Sequence, residues 1–276
     1  MQLYLLDTGL FKLDGGAMFG VVPQSIWKKL NAPDEDNMCT WAMRSLLIED
    51  NNQITLVDTG IGNKQDPKFF KHYFLHGNGS LSGSMQKAGC SEKDINHVFL
   101  THLHFDHVGG AISRIDEQLT PTFSKANYWS NESHWEWATN PNPREKASFL
   151  QDNILPIKNS GQLRFTNQEV FNLFEYIEVD GHTEKMMLPK ISYKNMVLVF
   201  VSDLIPSAGH IPLAYIMSYD VRPLLTMSEK RAFLEEAAKN NWILVFQHDP
   251  IIECCTVKFS ERGIVIDETF LFIEIA

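Results

Sequence analysis

Cysteine is scarce in this chain: four in 276 residues, with no CxxC spacing. A protein of this length does not depend on disulfides, and a reduced, cytoplasmic setting is expected. Basic residues are in deficit, 24 Lys and Arg against 34 Asp and Glu, for a formal charge of -10. Phosphate affinity comes from Lys and Arg, so nucleic acid is not expected as a partner. No stretch approaches the roughly 20 apolar residues of a membrane span, and no membrane partner is expected. The opening MQLYLLDTGLFKLDGG lacks a basic region and meets Asp7 early, so it reads as a first strand rather than a signal peptide. There is no GxSxG nucleophile motif. No linker-like shift in composition divides the chain, and residues 1–276 are read as a single domain.

What is present is an ordinary globular balance, 44% hydrophobic and 21% charged, arranged in short apolar runs. QLYLLDTG, WAMRSLLIED, QITLVDTG, INHVFLTH, MVLVFVSD, WILVFQHD, CTVKFS and GIVIDETF are rich in β-branched and aromatic residues and bounded by polar ones, which is strand punctuation. Turns are expected at Glu49–Asn52 and Ser260–Gly263. One helix is expected over 226–241, with Thr226 and Glu229 in capping-box spacing, and a second over 141–154. Strands followed by strand–helix alternation indicate a mixed α/β sandwich. ITLVDTG and LVFVSDL both end an apolar strand on an aspartate, Asp58 and Asp203, a weak echo of two similar halves.

The densest chemistry lies in THLHFDHVGG, residues 101–110, where His102, His104, Asp106 and His107 fall within six positions. A core would not want them, because every buried imidazole nitrogen and carboxylate oxygen needs a partner. A catalytic zinc takes about three protein ligands and keeps one position open. Four ligands this close therefore divide more naturally between two ions. His182 in YIEVDGHT, Asp203 in VLVFVSD and His248 in ILVFQHD each follow an apolar run and could supply the rest. Taken alone, each is an ordinary turn residue.

The run THLHFDHVGG matches the HxHxDH signature of the metallo-β-lactamase superfamily, and GHT, SDLIP and FQHD follow in the order that superfamily uses. The chain thus resembles that superfamily from Leu56 through His248. The resemblance implies a four-layer αββα sandwich, α/β in class, with a dinuclear metal site at the edge of its sheets. It assigns His102, His104 and His182 to one ion, Asp106, His107 and His248 to the other, and Asp203 to both. Asp58 would orient a ligand. Two divalent ions, expected to be zinc, are the implied cofactors. DGGAMFGVVPQSIW and His248 make the chain most similar to the lactonase branch, which includes N-acyl homoserine lactonases and organophosphate hydrolases. Lactonases of the best-known kind carry a tyrosine three residues after the bridging aspartate; here that position is Pro206. His210, Tyr215 and Tyr219 are the candidates to replace it.

Two dications would turn a shared water into hydroxide at neutral pH, and that hydroxide would attack an ester or lactone carbonyl. Asp106 would pass the proton to the leaving oxygen. The catalytic set expected is therefore Asp106, His210 and Tyr215. Met18, Phe19, Val21 and Val22, with Trp135 from an insertion that also holds Trp129 and Trp137, are expected to form a pocket for an acyl chain or aryl group. For the tryptophans, the rival reading is that they pack a helix onto the sheet. His72, His76, His97 and His134 read as surface or core histidines, and Cys254 and Cys255 as core. The expected partner is a small molecule with an apolar tail or aryl group, N-acyl homoserine lactones (quorum quenching) being the best guess. Phosphotriester hydrolysis on the same site is the alternative, and a diiron redox protein the second. Related lactonases are often dimers, so the resemblance extends to a homodimer.

Overall fold

The computed structural model describes residues 1–276. Its strands are β1 (Gln2–Asp14), β2 (Met38–Asp50), β3 (Gln53–Val57), β4 (His97–Phe99), β5 (Ile112–Ile115), β6 (Gln118–Pro121), β7 (Asn127–Ser130), β8 (Leu163–Phe165), β9 (Glu175–Val179), β10 (Met186–Tyr193), β11 (Met196–Phe200), β12 (Ile243–Val245), β13 (Cys254–Ser260) and β14 (Gly263–Phe270). They form two six-stranded sheets, ordered β1-β2-β3-β4-β7-β8 and β14-β13-β12-β11-β10-β9, while β5 and β6 make a separate hairpin.

Strand alternation builds the layers. Successive side chains point to opposite faces, so Leu46 and Ile48 enter the core between the sheets while Leu47 faces outward. Leu198 and Phe200 likewise face the partner sheet, and Val199 and Val201 the outer layer. Cys254 and Cys255 divide the same way and are free and buried, one in each layer. The first sheet's outer face is covered by α1 (Leu81–Lys87), α2 (Glu132–Thr139) and α3 (Gln151–Asn159), and the second sheet's by α4 (Pro223–Asn240). This is the expected αββα sandwich, and no helix is long and apolar enough to cross a membrane.

Both expected turns are present. Asn51 and Asn52 take φ of 49° and 59° between the paired Asp50 and Gln53, where asparagine tolerates the left-handed region. Ser260 pairs with Gly263 across the other. The helices differ from expectation. α4 starts at Pro223, whose fixed φ suits a first helical position, so no capping box forms at Thr226. Glu229 instead accepts from Asp180 N and Gly181 N. Residues 143–148 are turns, and α3 begins only at Gln151.

The two sheets repeat one device. The β2–β3 hairpin crosses over to the parallel strand β4, and the β10–β11 hairpin crosses over through α4 to the parallel strand β12. Parallel neighbours end at the same edge, so each sheet delivers two strand ends to one rim. Asp58, His102, Asp203 and His248 all lie just beyond those ends.

Candidate metal centre

Two groups of ligand atoms meet on that rim. His102, His104, His182 and Asp203 form one, and Asp106, His107 and His248 the other, all buried and each within 4.8 Å. His102 Nε2 and His182 Nε2 lie 3.0 and 3.2 Å from His104 Nδ1, and His107 Nε2 lies 3.4 Å from His248 Nε2. Two ligands bound to one tetrahedral zinc at about 2.0–2.1 Å stand about 3.3 Å apart. Asp203 joins the groups: Oδ2 lies 3.1 Å from His182 Nε2, and Oδ1 3.0 Å from His248 Nε2. Asp203 Oδ1 and His104 Nε2 are buried without a hydrogen-bond partner. Converging imidazoles around an unsatisfied carboxylate oxygen fit divalent cations.

The local backbone explains the convergence. β4 ends at Phe99, so His102 and His104 meet in irregular chain rather than by strand alternation. A single helical turn, Phe105–Val108, then carries Asp106 and His107. Ser202, at φ 41°, turns the chain after β11 and places Asp203 in a one-turn helix. Gly181 lets the His182 loop approach α4, where a Cβ would meet Thr226 N at 2.3 Å.

The far side of most imidazoles is also held. His107 Nδ1 donates to Asp58 Oδ2 (2.9 Å), His182 Nδ1 to Asp220 Oδ1 (2.7 Å) and His248 Nδ1 to Ala42 O (2.8 Å), which turns each Nε2 toward the site. Asp58 is fully buried and also accepts from Thr101 N, Thr101 Oγ1 and Gln247 Nε2. His104 Nε2 lies 3.5 Å from Glu145 Oε1, close for electrostatics but long for a hydrogen bond. Burial pushes the Glu145 carboxyl up, but His104, Thr183 and Trp137 outweigh it and hold it at about 2. Asp220 and Glu145 are supports that sequence reading missed: each lies in a turn without a motif, far from the imidazole it faces.

Protein groups alone leave the centre charged. Burial pulls the His182 imidazole down, but Asp203 and Asp220 outweigh it and hold it up at about 10. His107 is likewise held well above its usual value by Asp106, Asp203 and Asp58 against burial. Burial pushes Asp203 up, and the imidazoles of His107, His182 and His248 bring it well below the carboxylate range.

A cavity of about 260 Å³ opens over this floor, walled by Leu13, Met18, Tyr73, Phe105 and Met217, with Arg144, Ser148, Ser218 and Tyr219 among its polar members. Several expectations fail here. His210 is buried off the cavity, stacked on Phe19, with Nδ1 against Ser207 Oγ and Nε2 against Met18 O, so neither nitrogen is free for substrate. Tyr215 stands edge-on to Phe19, away from the cavity wall. Phe19 is enclosed between Trp27 and His210, and Val21 points into solvent at 92% exposure. Trp135 packs α2 onto the first sheet, the rival reading given above. Among the pocket residues Met18 does reach the cavity.

Of the three candidates for the missing tyrosine, only Tyr219 lines the cavity, and Tyr73, which sequence reading passed over, joins it. Burial, then Asp106, pushes the Tyr73 phenol up to about 12; burial, Tyr73, Asp14 and Asp106 also raise Tyr219. Both remain hydrogen-bond donors at neutral pH. Pro206 is buried, and its carbonyl accepts from His248 N at 3.1 Å, so it braces a ligand through the backbone.

The family profile described as "Metallo-beta-lactamase superfamily" matches residues 44–248, and the chain belongs to that superfamily. A probable metal-dependent hydrolase from Staphylococcus aureus superposes with a TM-score of 0.87 at 26% identity, covering 98% of this chain and 96% of that one. AidC, a dizinc quorum-quenching lactonase, superposes at 0.80 with 24% identity over 98% and 95% of the two chains, a likeness of fold. Probable metallo-hydrolase Rv2300c of Mycobacterium tuberculosis is 32% identical over 90 residues, and the match spans 29% of each chain.

Proposed function

We propose that the protein is a dinuclear metal-dependent hydrolase that opens lactones or esters with an apolar chain or aryl group, N-acyl homoserine lactones being the class to try first. One observation carries the reading: Asp203 presents one oxygen to each of two ligand groups on the floor of a largely apolar cavity. The lactonase named above has the same fold, which supports the choice of substrate class.

His102, His104, His182 and Asp203 would hold one ion, and Asp106, His107, His248 and Asp203 the other. Bound divalent ions, zinc by donor chemistry, supply Lewis acidity and lower the pKa of water. The chain's own groups do the rest. Leu13, Met18, Phe105 and Met217 take the apolar arm and exclude water. Tyr73 and Tyr219 donate to the substrate carbonyl, the task left open by Pro206. Asp106 faces the cavity and carries the proton to the leaving oxygen.

The test is a pH-indicator assay on zinc-reconstituted protein, comparing C4 to C12 acyl homoserine lactones, a phosphotriester and a β-lactam, with His104→Ala as blank. Lactone turnover lost in the variant is the expected result. Turnover of the phosphotriester alone would replace the substrate class, and no turnover of any would remove the lactonase reading.

A further inference from the structure

His134 is not a ligand, yet it touches both chain segments that carry the three histidines. It lies on α2, 1% exposed. Its Nε2 accepts the Leu103 N–H at 2.8 Å, and its Nδ1 donates to Glu184 O at 2.5 Å. Leu103 sits between His102 and His104, and Glu184 lies just beyond His182. A backbone N–H can only donate and a carbonyl can only accept, so the two contacts demand a neutral ring protonated on Nδ1. Burial keeps it neutral, holding its pKa at about 3.

We propose that His134 is a positioning residue that sets the spacing of His102, His104 and His182 by clipping Leu103 to Glu184. Its helix is anchored on that side: Asn131 caps it through Ser133 N and reaches Glu178 on β9, the strand leading to His182. Without the ring, the buried N–H of Leu103 and the half-buried C=O of Glu184 beside the ligands lose their partners, and the two segments are free to separate. The opposite group, Asp106, His107 and His248, has no contact with His134 and should not feel the change.

This inference rests on the metal reading, and its test measures binding rather than turnover. Cobalt(II) is titrated by chelator competition into the full chain in two backgrounds: His248→Ala isolates the three-histidine group and His182→Ala the opposite one. His134→Phe keeps the bulk and removes both hydrogen bonds. It should weaken cobalt at the three-histidine group by about 10–100-fold, with an altered visible absorption, and leave the other group within about threefold. His134→Gln, which keeps an acceptor for Leu103, should show a smaller loss confined to the same group. Equal weakening of both groups, or none at the three-histidine group, overturns the proposal. If circular dichroism shows that His134→Phe is unfolded, His134→Gln decides: a selective loss upholds the clip, and an equal or absent loss ends it. If the unmutated chain binds no cobalt, the metal reading falls and this inference with it; if it binds two ions and His134 is indifferent, only the inference falls.

Discussion

The three-histidine group and the Asp106 group offer similar donors, but they are braced by different kinds of structure. The Asp106 group is held by the sheets. His107 leans on Asp58 at the end of β3, His248 leans on the β2 carbonyl of Ala42, and Arg44 of β2 donates to the carbonyls of Phe246 and Asp249 on either side of His248. The three-histidine group is held by loops and helices: Asp220, Glu145 and His134 come from three separate connections or helices and meet only in the folded chain. One group is therefore braced by residues carried on the sheet strands and their ends, and the other by side chains from loops and a helix.

Asp203→Ala should have the largest effect because it removes the carboxylate common to both groups. Metal analysis should find the second ion lost, and hydrolysis should fall to the rate of the buffer. Asp58→Asn and Asp220→Asn then test the contrast directly. Each should weaken its own group by about 10–100-fold in a cobalt titration. Asp58 accepts four hydrogen bonds, and an amide there sets donor against donor, so that variant should also lose about 1–3 kcal/mol of stability in urea. Asp220 accepts one such bond, from His182, so Asp220→Asn should cost less stability than Asp58→Asn.

Smaller effects concern protons. His182 is raised above its unfolded value to about 10, so its contribution to the metal-free fold is complete below about pH 6.5 and lost as pH rises toward 10. The metal-free protein should lose stability across that window, and the metal-loaded protein should not. Zinc must displace protons from His182 and His107, so an indicator dye should record acid release on loading at pH 7. The smallest expected change is in catalysis: Tyr73→Phe or Tyr219→Phe should lower kcat/KM by about tenfold, one hydrogen bond's worth, with metal content intact.

Most of the fold could be read from the chain because strand patterning is local. Apolar runs such as WAMRSLLIED or MVLVFVSD need no partner to be seen as strands, and the structure sets Leu46 and Leu47, or Phe200 and Val201, on opposite faces. Strands that broke the pattern were missed: β10 contains Pro189, β7 hides within an aromatic stretch, and β8 has only three residues. The helix over 141–154 was misplaced because residues 143–148 are turns, with Glu145 held by Trp137, Asn142 and the distant Thr183. Motif density at 101–110 and the strand-end positions of His182, Asp203 and His248 made the seven converging residues legible.

The cavity wall was not legible, for the same reason that His134 was not. Met18 and Phe19 are adjacent and equally apolar, yet one faces the cavity and the other is sealed against His210. Tyr215 and Tyr219 lie in one loop and differ only in which way it turns. Residue type and spacing carry the donor chemistry, because an imidazole or carboxylate is a ligand wherever it sits. Orientation and partners belong to the tertiary structure, because they depend on which distant backbone groups are left needing a hydrogen bond once the sheets have packed.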